Sequence, residues 1–473
     1  MSTPRSNAVE DAQNAIRKAR SRLETEKSQT TDAPTCTVDK CLMVLGISNL
    51  LTPLDTQAPT PLLPLMLTED MGYAVEVVGD VFATLTFSSM LSFMLIIVLT
   101  KHLSPRALLL GDYVLRLISG IAYFIALREK SSLTMPFLYI SRCLYGLSLN
   151  TFALPAIWIA TRMPVEERPK RITAMQAALT MGIVLGPSWG SAMAAFMPTA
   201  WQGYATPGYF TLFECSLLLG IIYAWFDDTE LLPTSKPPEA KQTPDELEKE
   251  RNATKIIAVC CWGSFCATMG LMAGFETLMG LGLYHSFDWD AKEAIRAWGP
   301  FALVTFVAYA TAPGVVDSVN WAKIVAVGTG VGFAWSLVFQ LHLVDLTTPV
   351  PLWSMYVGIL GLIPSTYTQV LNFSVLATRL PSHLQVSANA LIQLVGQAGR
   401  SIGPILATLF YSWFIDTYGQ LGGYNGAVLF NVIFMVLILI PLPFVFTILY
   451  GNFSDPSPKE ARASGDGKDK AMM

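Results

Sequence analysis

The sequence predicts an all-α membrane protein with twelve transmembrane helices in two six-helix bundles. The first observation is composition: 52% of the 473 residues are hydrophobic and only 14% are charged. Soluble domains carry about 25% charged residues. The second is a series of apolar runs of about 20 residues or more, the length that a membrane-spanning helix needs. The third is a polar stretch near the middle of the chain, which separates two equal sets of runs.

The apolar runs number twelve, and each is long enough to cross a bilayer. In lipid, a helix satisfies all its backbone hydrogen-bonding groups internally, so runs of this length are predicted to be helical. The spans lie at approximately 40–66, 77–99, 107–127, 134–160, 172–197, 207–226, 255–284, 295–315, 322–343, 352–378, 386–414 and 425–450.

The positions of the cationic residues predict the orientation. The N-terminus, the C-terminus and the loops on their side of the membrane hold 24 of the 31 lysines and arginines. The loops of the opposite side hold four of them, namely Arg128, Lys130, Lys292 and Arg296. Because cytoplasmic loops are enriched in Lys and Arg, we expect both termini to be cytoplasmic.

These features predict five segments along the chain. They are a cytoplasmic tail at 1–38, a six-helix bundle at 39–227, a cytoplasmic linker at 228–253, a second six-helix bundle at 254–450 and a cytoplasmic tail at 451–473. The linker is acidic and proline-containing, and the tails are polar and charged. An acidic, proline-containing stretch of this kind is typical of a linker that joins two bundles.

The two predicted bundles share a weak internal repeat. Asp55-Thr56 in span 1 corresponds to Glu276-Thr277 in span 7, and a Gly-Pro pair recurs in spans 5 and 11. The recurring pairs are Gly186-Pro187 and Gly403-Pro404. Parallel repeats with a binding site between them are a common plan of transporters.

Several motifs resemble the major facilitator superfamily over about residues 38–450. The segment Arg142 to Gly146 resembles its arginine-x-x-x-glycine motif, and Gly182 to Gly190 resembles its glycine–proline motif. Leu54-Asp55-Thr56 resembles its first-helix pattern, whereas Thr100 to Arg106 lacks the usual glycine and aspartate of its signature loop. The resemblance implies a twelve-helix carrier with alternating access.

A narrower similarity concerns spans 7 and 11. Phe275 to Thr277 and Arg400 to Pro404 are similar to the branch that contains the lysosomal ceroid-lipofuscinosis protein and its SPX-bearing relatives. Because the N-terminal tail is short, we expect no SPX domain. With this branch we expect an endolysosomal or vacuolar membrane rather than the plasma membrane.

Glu276 is the first candidate site residue. It is the only ionisable side chain between Lys255 and His285. A charge at the centre of a spanning helix costs about 2.5–3.5 kcal/mol on insertion scales, so it needs a partner, water or a proton. Arg400 is a candidate partner, and the pair could serve proton transfer or simply fix helix packing.

The other candidates are polar residues within predicted spans, and each has a structural alternative. Asp55 could cap a helix break between Pro53 and Pro59, and amides could form interhelical hydrogen bonds worth about 0.6 kcal/mol each. The substrate or proton site is predicted to comprise Asp55, Gln57, Arg142, Asn150, Glu276, Gln393, Gln397 and Arg400, with Thr56, Glu214 and Thr277 as secondary candidates. Small-residue spacing predicts close helix contacts at Gly182, Gly186, Pro187, Gly190, Gly403 and Pro404.

The predicted function is secondary active transport of a small polar or anionic solute, with proton coupling as an open question. Two alternatives stay open: a facilitative carrier or anion-conducting channel of the same fold, and a non-transporting membrane sensor or scaffold. The four histidines are scattered and no glycine-rich phosphate loop is present, so we expect no enzyme, metal site or cofactor. The expected partners are the solute and the lipid bilayer, without nucleic acid, for a monomeric protein.

Overall fold

The computed structural model describes residues 35–128, 131–164, 167–226 and 382–439, together with scattered positions between 254 and 310 and single positions at 353 and 380. These residues are helices and the turns between them. Glu276, much of the predicted C-terminal bundle, the linker and both tails lie outside them, so the predicted limits of the five segments stay predictions.

Span 1 is a helix that ends before the predicted boundary. Helix α1 covers Thr35–Gln57, and the chain then turns through residues 58–62. A helical turn at Leu63–Leu65 and a π-helical turn at Met66–Asp70 follow. The prolines at 59 and 61 explain the interruption, because proline cannot donate a backbone hydrogen bond and its ring collides with the preceding helical turn. The predicted span 40–66 is therefore not one continuous helix.

Spans 2 and 3 match the apolar runs to within two residues. Helix α2 covers Val75–Leu99 and helix α3 covers Pro105–Arg128. Within the described residues, three helical segments are long and apolar enough to cross a membrane: these two and Trp201–Trp225. Large apolar side chains such as Phe87, Met94 and Ile118 are exposed on α2 and α3, as expected for surfaces that face lipid.

Span 4 is broken in the middle. Helix α4 covers Thr134–Leu147, a 3₁₀ turn covers Leu149–Phe152, and helix α5 covers Leu154–Arg162. Pro155 near the start of α5 has no N–H, so the carbonyl group of Thr151, four residues earlier, cannot have its α-helical donor. The break matters for function because a buried arginine hydrogen-bonds to it.

The remaining helices are longer. Helix α6 covers Arg168–Ala195, with Pro187 inside it, and helix α7 covers Thr206–Trp225 after a short helix at Ala200–Tyr204. Helix α8 covers Thr277–Phe287, the end of predicted span 7.

Spans 11 and 12 are joined more tightly than predicted. The helical segment Ser382–Leu439, here α9, is interrupted only at Gly419, which has φ 73° and ψ −175°. Glycine adopts this left-handed backbone without the steric cost that a Cβ would bring. A single residue thus replaces the predicted loop between 414 and 425.

Helix packing brings the two halves of the chain together. Helices α1 and α6 are in close contact, and α2 packs along the first part of α9. The Ser401 hydroxyl of α9 donates to the Thr86 hydroxyl of α2 at 2.8 Å. We call the side of the molecule where α1 begins the tail side. The opposite side, which contains residues 66–74, is called the far side. A gap lies between the two halves beside this contact, near the middle of α2 and within the first half of α9.

Candidate functional site

A small cavity of about 30 Å³ lies between the two halves. Helices α1, α2 and α4 contribute from the N-terminal half, and α8 and α9 contribute from the C-terminal half. The lining residues are Thr56, Gln57, Phe82, Leu85, Thr86, Arg142, Thr277, Arg400 and Pro404. Five of the predicted site residues, Thr56, Gln57, Arg142, Thr277 and Arg400, thus meet in one place.

Arg142 is the cation of the N-terminal wall. Its side chain is buried, and its guanidinium carbon lies 5.2 Å from the ring centroid of Tyr123. Its Nε and Nη2 atoms have no hydrogen-bond acceptor among the described residues. Gly146, one turn further along α4, lets the helix approach the backbone of α2 at Leu85, because a Cβ there would overlap the Leu85 carbonyl oxygen. A buried guanidinium with unused donors facing a cavity is suited to an anionic ligand.

Arg400 is the cation of the C-terminal wall. It lies on α9 and is 8% exposed, four residues before Pro404, which also lines the cavity. Gln393 and Gln397 precede it on α9 and are buried, but neither lines the cavity. Gln393 Nε2 donates to the Phe152 carbonyl oxygen at 3.4 Å, which is the interhelical role considered as its alternative.

Asp55 faces the interior of the N-terminal half and does not line the cavity. Its Oδ2 accepts a hydrogen bond from the Tyr145 hydroxyl at 2.7 Å, and Thr211 Oγ1 lies 2.7 and 2.9 Å from its two oxygens. These partners belong to α4 and α7, so the described hydrogen bonds of Asp55 connect helices and do not cap the break in span 1. Thr56, the next residue, lines the cavity and donates to the Tyr145 hydroxyl at 3.2 Å. Tyr145 therefore connects the buried carboxylate to the cavity wall.

Arg116 is a buried cation that the site prediction omitted. Its guanidinium donates to Thr52 Oγ1, and Nη2 donates to the Ser148 carbonyl oxygen and to Thr151 Oγ1, each at 3.1 Å. The last two acceptors lie in the break of span 4. The guanidinium also stacks on the Tyr145 ring at 5.1 Å. An arginine inside a predicted span was the available signal, because such a charge must have partners in the interior.

Glu214 forms an ion pair with Arg116. Its Oε1 lies 3.7 Å from Arg116 Nη1, and both side chains are fully buried. Span 6 often lies at the periphery of this fold, which made Glu214 a secondary candidate. Helix α7 nevertheless directs Glu214 into the interior, toward α3.

The glycines of α6 set the distance between α6 and α1. A Cβ on Gly182 would overlap the Leu50 carbonyl oxygen, one on Gly186 would collide with Gln57, and one on Gly190 would overlap the Ala58 carbonyl oxygen. Because Gly186 contacts Gln57, helix α6 packs against a residue that lines the cavity. The side chain of Asn150 lies outside the described residues, as does Glu276. The described residues contain no group of three or more His, Cys, Asp or Glu arranged for a metal.

We expect Arg116→Gln to destabilise the protein by about 3 kcal/mol. The substitution leaves the Glu214 carboxylate buried without its cation, and breaking one side of a buried ion pair typically costs about 3–5 kcal/mol. The measurement is the thermal unfolding midpoint of the purified protein in detergent. The control is Arg116→Gln combined with Glu214→Gln, which removes both charges and should recover part of the loss. An unfolding midpoint of Arg116→Gln equal to that of the wild type would contradict this role.

The chain matches known proteins over most of its length. The family model of the Major Facilitator Superfamily matches residues 45–404, well over half of the chain. Multidrug resistance protein 1 of Bacillus subtilis (strain 168) is 27% identical over 167 residues, 34% of this chain and 39% of that protein. The chain thus spans well under half the length of this curated relative.

Solved structures share the fold at low sequence identity. The human organic anion transporter MFSD10 (TETRAN) has a TM-score of 0.60 at 15% identity, covering 85% of this chain and 99% of that chain. A bacterial homologue of the human lysosomal transporter Spinster has a TM-score of 0.61 at 14% identity, covering 90% and 100%. A D-xylose–proton symporter has a TM-score of 0.64 at 14% identity, covering 84% and 97%.

These matches confirm the predicted fold class. The superfamily consists of integral membrane transporters that bind small-molecule substrates within the bilayer, so transport and not catalysis is its general activity. Two bundles with a cavity between them agree with that activity. From the family match over residues 45–404, the chain belongs to the major facilitator superfamily.

Proposed function

We propose that the protein is a secondary active transporter of a small anionic solute, which it moves by alternating access through the cavity between its halves. The observation that carries this proposal is the buried guanidinium of Arg142, whose Nε and Nη2 have no acceptor among the described residues. It lines the same cavity as Arg400 of the other half. An anion between the two arginines would supply acceptors to the one and charge compensation to both.

The rest of the cavity wall supports a small organic anion. Thr56, Thr86 and Thr277 offer hydroxyl groups, while Phe82 and Leu85 offer apolar surface. The anionic group of a small solute can therefore bind the arginines while an apolar part of the same solute contacts Phe82 and Leu85. The structural neighbours include an organic anion transporter and xylose symporters, so the fold admits both kinds of solute and the arginines favour the anion.

Alternating access is supported by contacts between the halves on both sides of the cavity. On the tail side, Gln393 of α9 hydrogen-bonds to the backbone of Phe152. On the far side, a Cβ on Gly280 of α8 would lie 3.2 Å from the Pro61 carbonyl oxygen, and His285 Nε2 lies 3.9 Å from Glu69 Oε1. A carrier opens to one side by separating one of these sets while keeping the other.

The proposal includes coupling of the anion to a proton and a location in an endolysosomal or vacuolar membrane. Asp55 is a buried acid of the N-terminal half, and Glu276 is an acid predicted for span 7. If either binds a proton during the cycle, the motion of an anion follows a pH gradient. The similarity of spans 7 and 11 to a lysosomal branch favours an endolysosomal or vacuolar membrane, with both termini in the cytoplasm, for a protein that acts as a monomer.

The test is a ligand screen followed by transport. We expect at least one of acetate, succinate, phosphate and sulfate to raise the thermal unfolding midpoint of the purified full-length protein, because a ligand that binds the folded state stabilises it. The same anion should enter proteoliposomes with saturable kinetics. Stabilisation by neutral sugars alone would contradict the anion assignment.

Two further outcomes separate the alternatives. A current across a planar bilayer that reverses at the equilibrium potential of the anion would indicate a conducting channel of this fold. If no solute moves while deletion of residues 1–34 and 451–473 abolishes the cellular function, the sensor or scaffold alternative is favoured.

A further inference from the structure

The far side of the molecule is closed by contacts between the two halves. Leu63 of the N-terminal half and Leu281 of α8 are fully buried members of one apolar cluster. Further along α8, the Nε2 atom of His285 lies 3.9 Å from the Oε1 atom of Glu69, which belongs to the π-helical turn of the N-terminal half. His285 is therefore a titratable group at a contact that must separate when the far side opens.

His285 is nearly buried at this contact, whereas Glu69 is not. The His285 side chain is 9% exposed and the Glu69 side chain is 35% exposed. Their separation of 3.9 Å is longer than a hydrogen bond, and Glu69 Oε1 accepts a hydrogen bond from the Thr68 hydroxyl at 3.4 Å. Because solvent screens a partly exposed carboxylate, its attraction for a charge on His285 is weak. A proton on His285 would therefore place a positive charge in a desolvated position with little compensation.

Other titratable groups lie on the same side of the molecule. They are Tyr284 on α8, Asp70 and Tyr204 in the N-terminal half, Tyr411 on α9, and Asp288, Asp290, Glu293 and Arg296 after α8. The cation among them, Arg296, pairs with Glu293 at 3.1 Å, and Tyr204 hydrogen-bonds to Asp70. The last turn of α8 also favours a positive charge, typically by about 0.3–1 kcal/mol. Glu69 is thus the charged side chain that acts on His285.

Proton binding favours separation of this contact. Burial lowers the pKa of His285 from its ordinary value, and the opposing effect of Glu69 is smaller. When the halves separate, water reaches the imidazole ring and the pKa returns to its ordinary value of about 6.5. A base with the lower pKa in the closed form binds its proton more tightly in the open form. The contact is therefore most stable above about pH 6.5 and weakens as the pH falls through the pKa of the closed form.

We propose that His285 is an acid-released latch of the far side, whose neutral imidazole keeps the halves in contact and whose protonation separates them. The proton comes from water and forms one N–H bond of the ring; no other bond changes. The far side is the one predicted to face away from the cytoplasm. In the endolysosomal or vacuolar membrane proposed above it faces an acidic lumen, so the carrier opens toward the acidic compartment. The inference rests on the proposed alternating access, whichever solute the cavity binds.

The experiment is double electron–electron resonance of the full-length protein in lipid nanodiscs, which measures the distance between two nitroxide groups. The nitroxides are introduced as non-natural amino acids at Tyr73 and Tyr418, which are 40% and 44% exposed. Tyr73 lies on the far side of the N-terminal half, and Tyr418 precedes the turn at Gly419 between spans 11 and 12. On acidification from about pH 8 to about pH 5, the range in which histidine titrates, we expect the population with the longer distance to increase severalfold.

Three variants at the contact test the cause of this response. His285→Gln is polar but binds no proton, so it should keep the short distance at both pH values. His285→Lys carries a charge throughout this range and should show the longer distance at both. Glu69→Gln should keep the response to acid, because burial of His285 and not its attraction to Glu69 produces that response. An ion pair that closed the far side in acid would instead lose its pH dependence in Glu69→Gln.

The matched control is His102→Gln, which removes an exposed histidine on the tail side and should respond to acid as the wild type does. The proposal is overturned if the wild-type distance does not change with pH, if it becomes shorter in acid, or if His285→Gln keeps the response. These distances are measured without solute. Failure of anion uptake in proteoliposomes with the response intact would therefore count against the proposed function alone, while uptake without the response would count against the latch alone.

Discussion

Replacing Arg142 with glutamine is expected to lower the affinity for the transported anion roughly 30-fold. Hydrogen bonds to charged groups contribute about 1.5–3 kcal/mol each, and 1.4 kcal/mol corresponds to a factor of ten in affinity. Arg142 lines the cavity, and its Nε and Nη2 have no acceptor among the described residues, so we expect the loss to fall mainly on the solute. The measurement is the concentration dependence of initial uptake into proteoliposomes, using the anion identified by the ligand screen.

Two further variants serve as comparisons for the affinity of Arg142→Gln. Arg142→Lys keeps the charge but loses the planar fork of donors, so we expect an intermediate affinity. Arg106→Gln is the matched control, because Arg106 lies at the tail-side start of α3 and donates to the Tyr223 carbonyl oxygen, away from the cavity. Uptake by Arg142→Gln that equals uptake by Arg106→Gln would place the solute elsewhere.

The helices could be predicted from the sequence where a run of apolar residues sets their length. For α2 and α3, the hydrophobic thickness of a bilayer determines the boundaries, and the prediction agrees to within two residues. Spans 1 and 4 contain prolines, and there the apolar run continues through residues 58–62 and 148–153 although the helix does not. The apolar composition of a run predicts the length of a span. Whether the helix in that span is continuous depends on the backbone N–H groups that proline lacks and on the steric clashes of its ring.

The site was harder to predict because a sequence does not give the direction of a side chain in a buried helix. Successive residues of an α-helix point about 100° apart. Asp55 and Thr56 therefore face different surroundings: Thr56 lines the cavity and Asp55 lies inside the N-terminal half. Both residues were candidates for the same predicted site, Thr56 as a secondary one. Its division between two environments depends on how α1 packs against α4 and α7.

Two other kinds of residue were missed for related reasons. Phe82 and Leu85 line the cavity, but apolar residues of this type also face lipid and the interior, so composition does not distinguish them. Arg116 was visible as a charge within a span, but its acceptors come from a helix break that the apolar pattern did not reveal. Its pairing with Glu214 joins α3 to α7, a contact between distant parts of the sequence.

The second large effect is expected from Gly190→Ala, which should lower the thermal unfolding midpoint of the purified protein. A Cβ on Gly190 would overlap the carbonyl group of Ala58, and the obstacle is backbone that cannot rotate away. Inserting an extra carbon into a well-packed interior costs about 1–3 kcal/mol, and α1 would have to move away from α6. Ala58 directly follows Gln57 of the cavity, so solute affinity should fall together with stability.

Gly220→Ala is the matched control for this substitution. Gly220 also lies within a membrane-spanning helix, α7, but a Cβ there has nothing within 4 Å. Alanine has the higher helix propensity, by about 1 kcal/mol, so this variant should be as stable as the wild type or slightly more stable. Differential scanning fluorimetry of the two variants side by side separates close helix contact from the general effect of removing a glycine. Equal unfolding midpoints would mean that α1 and α6 are not held together at Gly190, and that the small-residue spacing of α6 serves another purpose.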